Sequence, residues 1–212
     1  MKVGVLASGS GSNLQALIDA GARGQLGPAH VAVVGVNVPG CGAIARAEKA
    51  GVPHFVVDHK KYASRLDFDR ALIEALRAHA VDLVVLAGFM RLLTPELLAA
   101  FPQRIVNIHP ALLPAFPGLH AQAQAFRAGV KLAGCTVHYV DEGTDSGPII
   151  AQAAVPVLDD DDEERLRLRI LAEEHRLLPA VVRALAEGRV RCEGRRVHIH
   201  GSGAASPPLR SL

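Results

Sequence analysis

Short apolar runs alternate with amphipathic stretches of helical period along most of this chain. The runs KVGVLA (2–7), HVAVVGVN (30–37), HFVV (54–57), DLVVLAG (82–88) and RIVNIH (104–109) predict strands. Helices are expected between them, at about 12–22, 42–51, 63–79, 95–100 and 121–129. In the third, Phe68, Leu72, Ala75 and Leu76 share one stripe, with Arg70, Glu74 and Arg77 outside it. Such alternation builds βαβ units. The expected fold class is therefore α/β: a Rossmann-like, mostly parallel twisted sheet with helices on both faces and right-handed crossovers. After residue 132 the pattern changes. AGCTVHYV and PIIAQAAVPV follow each other without a helix, which predicts an antiparallel extension in the C-terminal part. A long helix at about 162–187 comes next, carrying Leu171, Leu178, Val181 and Leu185. Residues 1–200 read as a single domain, and 201–212, with SGAASPP, as a disordered tail.

Composition narrows the class. Half of the residues are apolar, only 4% are aromatic and Trp is absent, so the core is built of Val, Leu, Ile and Ala. That suits a parallel sheet covered on both faces. At 212 residues the chain fits one domain, which would bury roughly 70% of its unfolded surface. A net charge of +2 with no basic run speaks against a nucleic-acid partner. The acidic run from Asp159 to Glu164 reads as the solvated start of the long helix. Cys41, Cys135 and Cys192 are far apart and form no C-x-x-C pair, which points to a reducing compartment rather than a disulfide framework or zinc site. There is no signal peptide and no run of membrane-spanning length, so a cytoplasmic protein without a membrane partner is expected. The apolar helices could support a homodimer.

The candidate chemistry is concentrated where the fifth run ends. Asn107 and His109, two apart on a strand, point to the same face. Both can reach one reacting carbonyl at the C-terminal edge of the sheet, where open α/β proteins place ligands. Asn-x-His at a strand end also fits a purely structural pair that satisfies loop backbone. A second segment shifts that balance: VDEGTDSGP, residues 140–148, ends another apolar run and sets Asp145 among small residues. An amide, an imidazole and a carboxylate are together the parts needed to move an acyl group without a covalent intermediate. No Ser or Cys occupies a nucleophile elbow, and the histidines lack metal-ligand spacing, so no metal is expected. His138, alternating on its strand, reads first as a partly buried structural histidine.

The turn Ser8-Gly9-Ser10-Gly11-Ser12-Asn13 joins the first strand to the first helix, and a helix N-terminus offers free N–H groups to an anion. Ser12 or Asn13 can serve as N-cap and anion ligand. The third glycine of a dinucleotide fingerprint is missing, Asn37 stands where its acid would close the second strand, and no Walker lysine follows. A single phosphate suits the turn best.

With these residues in view, the chain resembles the phosphoribosylglycinamide formyltransferase family, within the wider formyltransferase superfamily. SGSGSNLQ, LAGFMRLL, N-x-H-P-x-L-L-P and VDEGTDSGP carry the resemblance, in order, from residue 3 to about 190. It implies transfer of a formyl group from the co-substrate 10-formyltetrahydrofolate to the amine of glycinamide ribonucleotide in purine biosynthesis. It further implies Asn107, His109 and Asp145 as catalytic residues, and Gly11, Ser12 and Asn13 as the phosphate seat. Glu174, in the E-H-x-x-x-P segment, would bind the ribose hydroxyls or the glycinamide amine. Leu171 stands where some relatives are polar. The folate pocket would be walled by Met90, Arg91, Leu92 and Leu93 on one side and by Val140, Asp141 and Asp145 on the other, with Asn107 between. Arg65 and Arg91 are candidates for the benzoylglutamate end, Arg65 matching the family position better. His109 would assist the oxyanion or protonate the leaving nitrogen, and Asp145 would orient its ring. The rival readings are a deformylase using the same triad on water, a methionyl-tRNA formyltransferase and a noncatalytic nucleotide sensor. The second would need a further tRNA-binding domain.

Overall fold

The computed structural model describes residues 1–201; apart from Gly201, the expected disordered tail lies outside the described residues. The strands are β1 (Lys2–Ala7), β2 (His30–Val36), β3 (His54–Val56), β4 (Leu83–Leu86), β5 (Ile105–His109), β6 (Leu132–Tyr139), β7 (Ile149–Pro156), β8 (Val190–Glu193) and β9 (Arg196–Ile199). The helices are α1 (Ser12–Ala22), α2 (Gly42–Lys49), α3 (Arg65–Ala78), α4 (Pro95–Ala100), α5 (Ala121–Arg127) and α6 (Glu163–Ala186). Seven strands form one sheet in the order β3-β2-β1-β4-β5-β6-β7. The pairs from β3 to β5 are parallel, and β6 and β7 are antiparallel, as the loss of the helical crossover predicts. Among the described residues no helix is long and apolar enough to cross a membrane.

Alternate side chains of the buried strands enter two separate cores. Val3, Val5 and Ala7 pack with Leu14, Leu17, Leu166, Ile170 and Leu178, under α1 and α6. Leu6, Val33, Val84 and Leu86 pack with Phe68, Leu72 and Leu76 of α3 and Leu97 of α4. Each fully buried Leu stabilises the fold by about 2 kcal/mol. Local chemistry sets the helix ends. Ser64 Oγ accepts from Asp67 N at 3.1 Å, so α3 begins at Arg65 rather than 63. The α2 helix stops at Lys49, two residues before Gly51 at φ 65°.

The hairpin β8–β9 is an element the hydrophobic pattern did not suggest. VRCE and RVHI pair across Gly194-Arg195, with Gly194 at φ 60°. One face of this ribbon is only half-buried, and the segment is basic, so its period-2 alternation is weak.

Candidate active site

The sheet has its topological switch point between β1 and β4, the crevice where open α/β sheets hold ligands. Ser8 N donates to Gly88 O at 3.1 Å and joins the two strand ends. Beyond it the backbone turns at Gly11, φ 73°. A Cβ there would lie 2.8 Å from Ala43 Cα, so the turn packs against α2 only as glycine. Gly11, rather than Ser12 or Asn13, is the N-cap of α1, and no side chain caps it. Among the described residues the N–H groups of Ser12, Asn13 and Leu14 consequently meet no acceptor. Arg46 lies across the turn, Nε donating to Ser10 O at 2.7 Å and Nη1 to Gln15 Oε1 at 3.2 Å. An open cavity of about 360 Å³ adjoins, lined by Ser12, Gln15, Asp19, Arg23, Arg46 and His175 among others.

Asn13 does not turn its amide to that opening. Its Nδ2 donates to Glu174 Oε2 at 2.6 Å, with both residues buried. Glu174 lies on the inward face of α6, in line with Ile170 and Leu178. Burial pushes its carboxyl above the ordinary range, against the hydrogen bond from Asn13 and the charge of Arg167. Leu171 lies a step off that face, partly buried.

Asn107, His109 and Asp145 converge. Asp145, at φ 52°, accepts from Gly118 N at 2.8 Å through Oδ2, and the same oxygen is 3.3 Å from His109 Nδ1. Its Oδ1 lies 3.5 Å from Asn107 Nδ2 and 3.6 Å from His138 Nε2. Burial alone raises the Asp145 carboxyl; the interaction with His138, the Gly118 N–H and the charge of His109 outweigh it and hold the group below the usual range. His109 Nε2 points at Phe116 O, 2.8 Å away. Both ring nitrogens of His109 therefore face acceptors, and only the doubly protonated ring satisfies both.

His138 belongs to this constellation. Antiparallel pairing sets it opposite Asn107, with Nε2 3.1 Å from the Asn107 amide nitrogen and Nδ1 2.8 Å from Tyr139 O. Nδ1 thus faces a carbonyl, while Nε2 faces both the Asn107 amide and the Asp145 carboxylate and holds them together. Behind the triad, buried Thr136 donates to Ala111 O at 2.6 Å and accepts from Leu113 N at 3.1 Å, securing the loop after His109.

The segment after β4 opens the other side of the crevice. Met90 and Leu92 are 64% and 57% exposed, far from the core placement that apolar composition favours, and Leu93 is partly buried. Facing residues come from the loop after β6: Val140, which donates to Ile105 O at 3.0 Å, and Asp141, which accepts from Gly143 N and Ser146 Oγ. Gly147 lets this loop return to the sheet, since a Cβ there would overlap Tyr139 O. Arg65 starts α3 exposed to solvent, and the Arg91 guanidinium lies 5.7 Å from the Phe68 ring centroid. Both are near Asp69, a carboxylate with no exposure; burial raises its pKa against the Thr94 hydrogen bonds and the two arginine charges. Among the described residues no group of three or more His, Cys, Asp or Glu is arranged to hold a metal.

Comparison with known proteins gives a consistent result. A family model described as formyl transferase matches residues 1–182. The chain is 53% identical over 201 residues to phosphoribosylglycinamide formyltransferase of Mycobacterium tuberculosis, covering 92% of each chain. It is 52% identical over 188 residues to the trifunctional purine biosynthetic protein adenosine-3 of Drosophila melanogaster, where it covers 88% of this chain but spans only 14% of that protein. The crystal structure of glycinamide ribonucleotide transformylase 1 from Symbiobacterium toebii superposes with a TM-score of 0.92 at 57% identity, covering 94% of this chain and 93% of that one.

Proposed function

This chain belongs to the formyl transferase family, and from that premise we propose that it transfers formyl from 10-formyltetrahydrofolate to the amine of glycinamide ribonucleotide. The products are formylglycinamide ribonucleotide and tetrahydrofolate, a step of purine biosynthesis. The single observation that carries the site assignment is the meeting of Asn107, His109 and Asp145 from β5 and a distant loop, each within 3.5 Å of another.

The chemistry needs no covalent enzyme intermediate. The amine lone pair forms a C–N bond to the formyl carbon while the carbonyl pair moves to oxygen. The Asn107 amide donates to that oxyanion, a contribution of about 3 kcal/mol. Collapse breaks the bond from the formyl carbon to the folate nitrogen N10, which takes a proton as the attacking amine sheds one. His109, held beside Asp145, either supports the oxyanion or supplies that proton. Supplying it from Nε2 exchanges the bond to Phe116 O for one to the leaving nitrogen. Asp145 holds the ring, and His138 holds the amide of Asn107.

The free N–H groups of Ser12 and Asn13 after Gly11 suit a phosphate, and the positive end of the α1 dipole adds to them. Glu174 suits the ribose hydroxyls or the amine. Met90, Leu92, Leu93 and Val140 offer apolar contact for the pterin ring of the donor, between the backbone of 91–93 and the loop of Asp141 and Asp145. Arg65 and Arg91 suit the carboxylates of its tail. The three unpaired cysteines support a cytoplasmic setting. A homodimer is also part of the proposal, and sedimentation velocity tests it.

Absorbance monitoring of 10-formyl-5,8-dideazafolate, a donor analogue, tests the reaction. Turnover only in the presence of glycinamide ribonucleotide is expected. Equal turnover without it would mean hydrolysis and overturn the transferase reading in favour of a deformylase.

A further inference from the structure

A segment as exposed as 90–94 holds one shape only if something fixes it, and two side chains from separate elements meet its two ends. At the first end Met90 N donates to Ser8 Oγ at 2.8 Å. Ser8 Oγ in turn donates to Asn37 Oδ1 at 2.6 Å. Asn37 is 2% exposed, and His59 braces it, with Nδ1 2.8 Å from its carbonyl. At the second end Thr94 N donates to Asp69 Oδ2 at 2.6 Å. Asp69 projects from the buried face of α3 between the apolar positions Phe68 and Leu72. A carboxylate at such a place costs stability that an apolar residue would not. Among the described residues its hydrogen bonding goes to Thr94, where the segment ends. Between the anchors, the backbone N–H and C=O groups of Arg91, Leu92 and Leu93 meet no partner among the described residues.

We propose that Ser8 and Asp69 are positioning residues for the one-carbon donor, holding segment 90–94 at both ends so that its free backbone groups present a fixed edge to the donor ring. This rests on the reading of residues 90–93 as a wall of the donor pocket. Neither side chain touches the reacting atoms. Asn37 and His59 extend the first anchor.

The test compares Ser8→Ala, Asp69→Ala and Asp69→Asn with the wild-type chain. Calorimetric titration with 10-formyl-5,8-dideazafolate alone gives donor affinity, and steady-state assays give KM for each substrate. Loss of one anchoring hydrogen bond should weaken donor binding about tenfold in Ser8→Ala and in Asp69→Ala. In Asp69→Ala, KM for the ribonucleotide should stay within about twofold of wild type. Asp69→Asn keeps an acceptor for Thr94 N and should bind the donor nearly as wild type does. A merely structural role would raise both KM values together and would not be rescued by Asn. Donor affinity within twofold of wild type in Ser8→Ala and Asp69→Ala would overturn the proposal, as would equal losses in Asp69→Ala and Asp69→Asn. Ser8, outside the core, keeps the test open where Asp69→Ala unfolds the chain. The titration contains no ribonucleotide, so the analogue binds without formyl transfer, and a failure of the formyl-transfer reading would appear as binding without ribonucleotide-dependent turnover and leave these affinities comparable.

Discussion

Replacing Asp145 by Asn changes one atom and one charge at the point where the triad converges. The carboxylate accepts from Gly118 N and lies against His109 Nδ1 through one oxygen, and against Asn107 and His138 through the other. An amide cannot fill both sides. With its oxygen on Gly118, its NH₂ group meets the NH₂ of Asn107; turned around, it meets the Gly118 N–H and a protonated His109. The electrostatic loss can be scaled. Unit charges 3.3 Å apart attract by about 5 kcal/mol at an effective dielectric near 20. Desolvation of the buried carboxylate offsets part of this, leaving roughly 3–4 kcal/mol of attraction for positive charge that develops on the ring in the transition state. On that scale kcat of Asp145→Asn falls by roughly 10² to 10³. KM for the ribonucleotide should change little, because the phosphate turn does not touch this carboxyl. The assay is the absorbance change of the dideazafolate donor at saturating ribonucleotide, with thermal unfolding measured alongside. A kcat loss below tenfold in a folded variant would refute the reasoning, as would a loss confined to KM. The stability of the wild type carries a matching signature. The pKa of Asp145 lies below its unfolded value, so its contribution is present above the ordinary carboxylate range and is lost as pH falls through the folded value. In the Asn variant that acid-side loss should be absent.

Three further outcomes follow from the same geometry. His138→Ala frees the Asn107 amide to rotate and should lower kcat by about ten- to a hundredfold, less than His109→Ala in the same assay. For Glu174 the folded pKa is raised, so its contribution to stability is full below the unfolded value and is lost as pH rises through the folded one. Glu174→Gln should therefore unfold at higher temperature than wild type at pH 8, the gap closing near pH 4, while KM for the ribonucleotide rises about tenfold or more. Gly11→Ala combines a left-handed backbone with a contact on Ala43; it should lose about 2–4 kcal/mol in urea unfolding and weaken ribonucleotide binding.

The parts of the fold legible in the chain are those with strong periodicity. Buried parallel strands such as VGVLA and LVVL carry continuous apolar runs, and the missing helix after residue 132 marks where the sheet turns antiparallel. The β8–β9 hairpin was not legible, because half-buried polar strands carry little hydrophobic signal. At the site, i and i+2 spacing set Asn107 and His109 on one face, but His138 needed the register of β5 against β6, which no local pattern encodes. Alternation along HYV could only place it on a strand. Asn13 reads as an anion ligand because it follows Gly11, yet its partner is 161 residues away on α6. Likewise Asp69, alone on an apolar helix face, reads as an anomaly until the chain folds Thr94 onto it.

Ser8 follows β1 and begins the turn to Gly11, so a few residues of backbone join the anchor of the proposed donor pocket to the proposed anion seat. The two pockets are thus mechanically in series. A phosphate that stiffens the turn also stiffens the support of Met90, and a ring held by segment 90–94 restrains the turn in return. Inserting a residue between Ser8 and Gly11 would loosen both grips at once, and no compensating change confined to one pocket would restore the other.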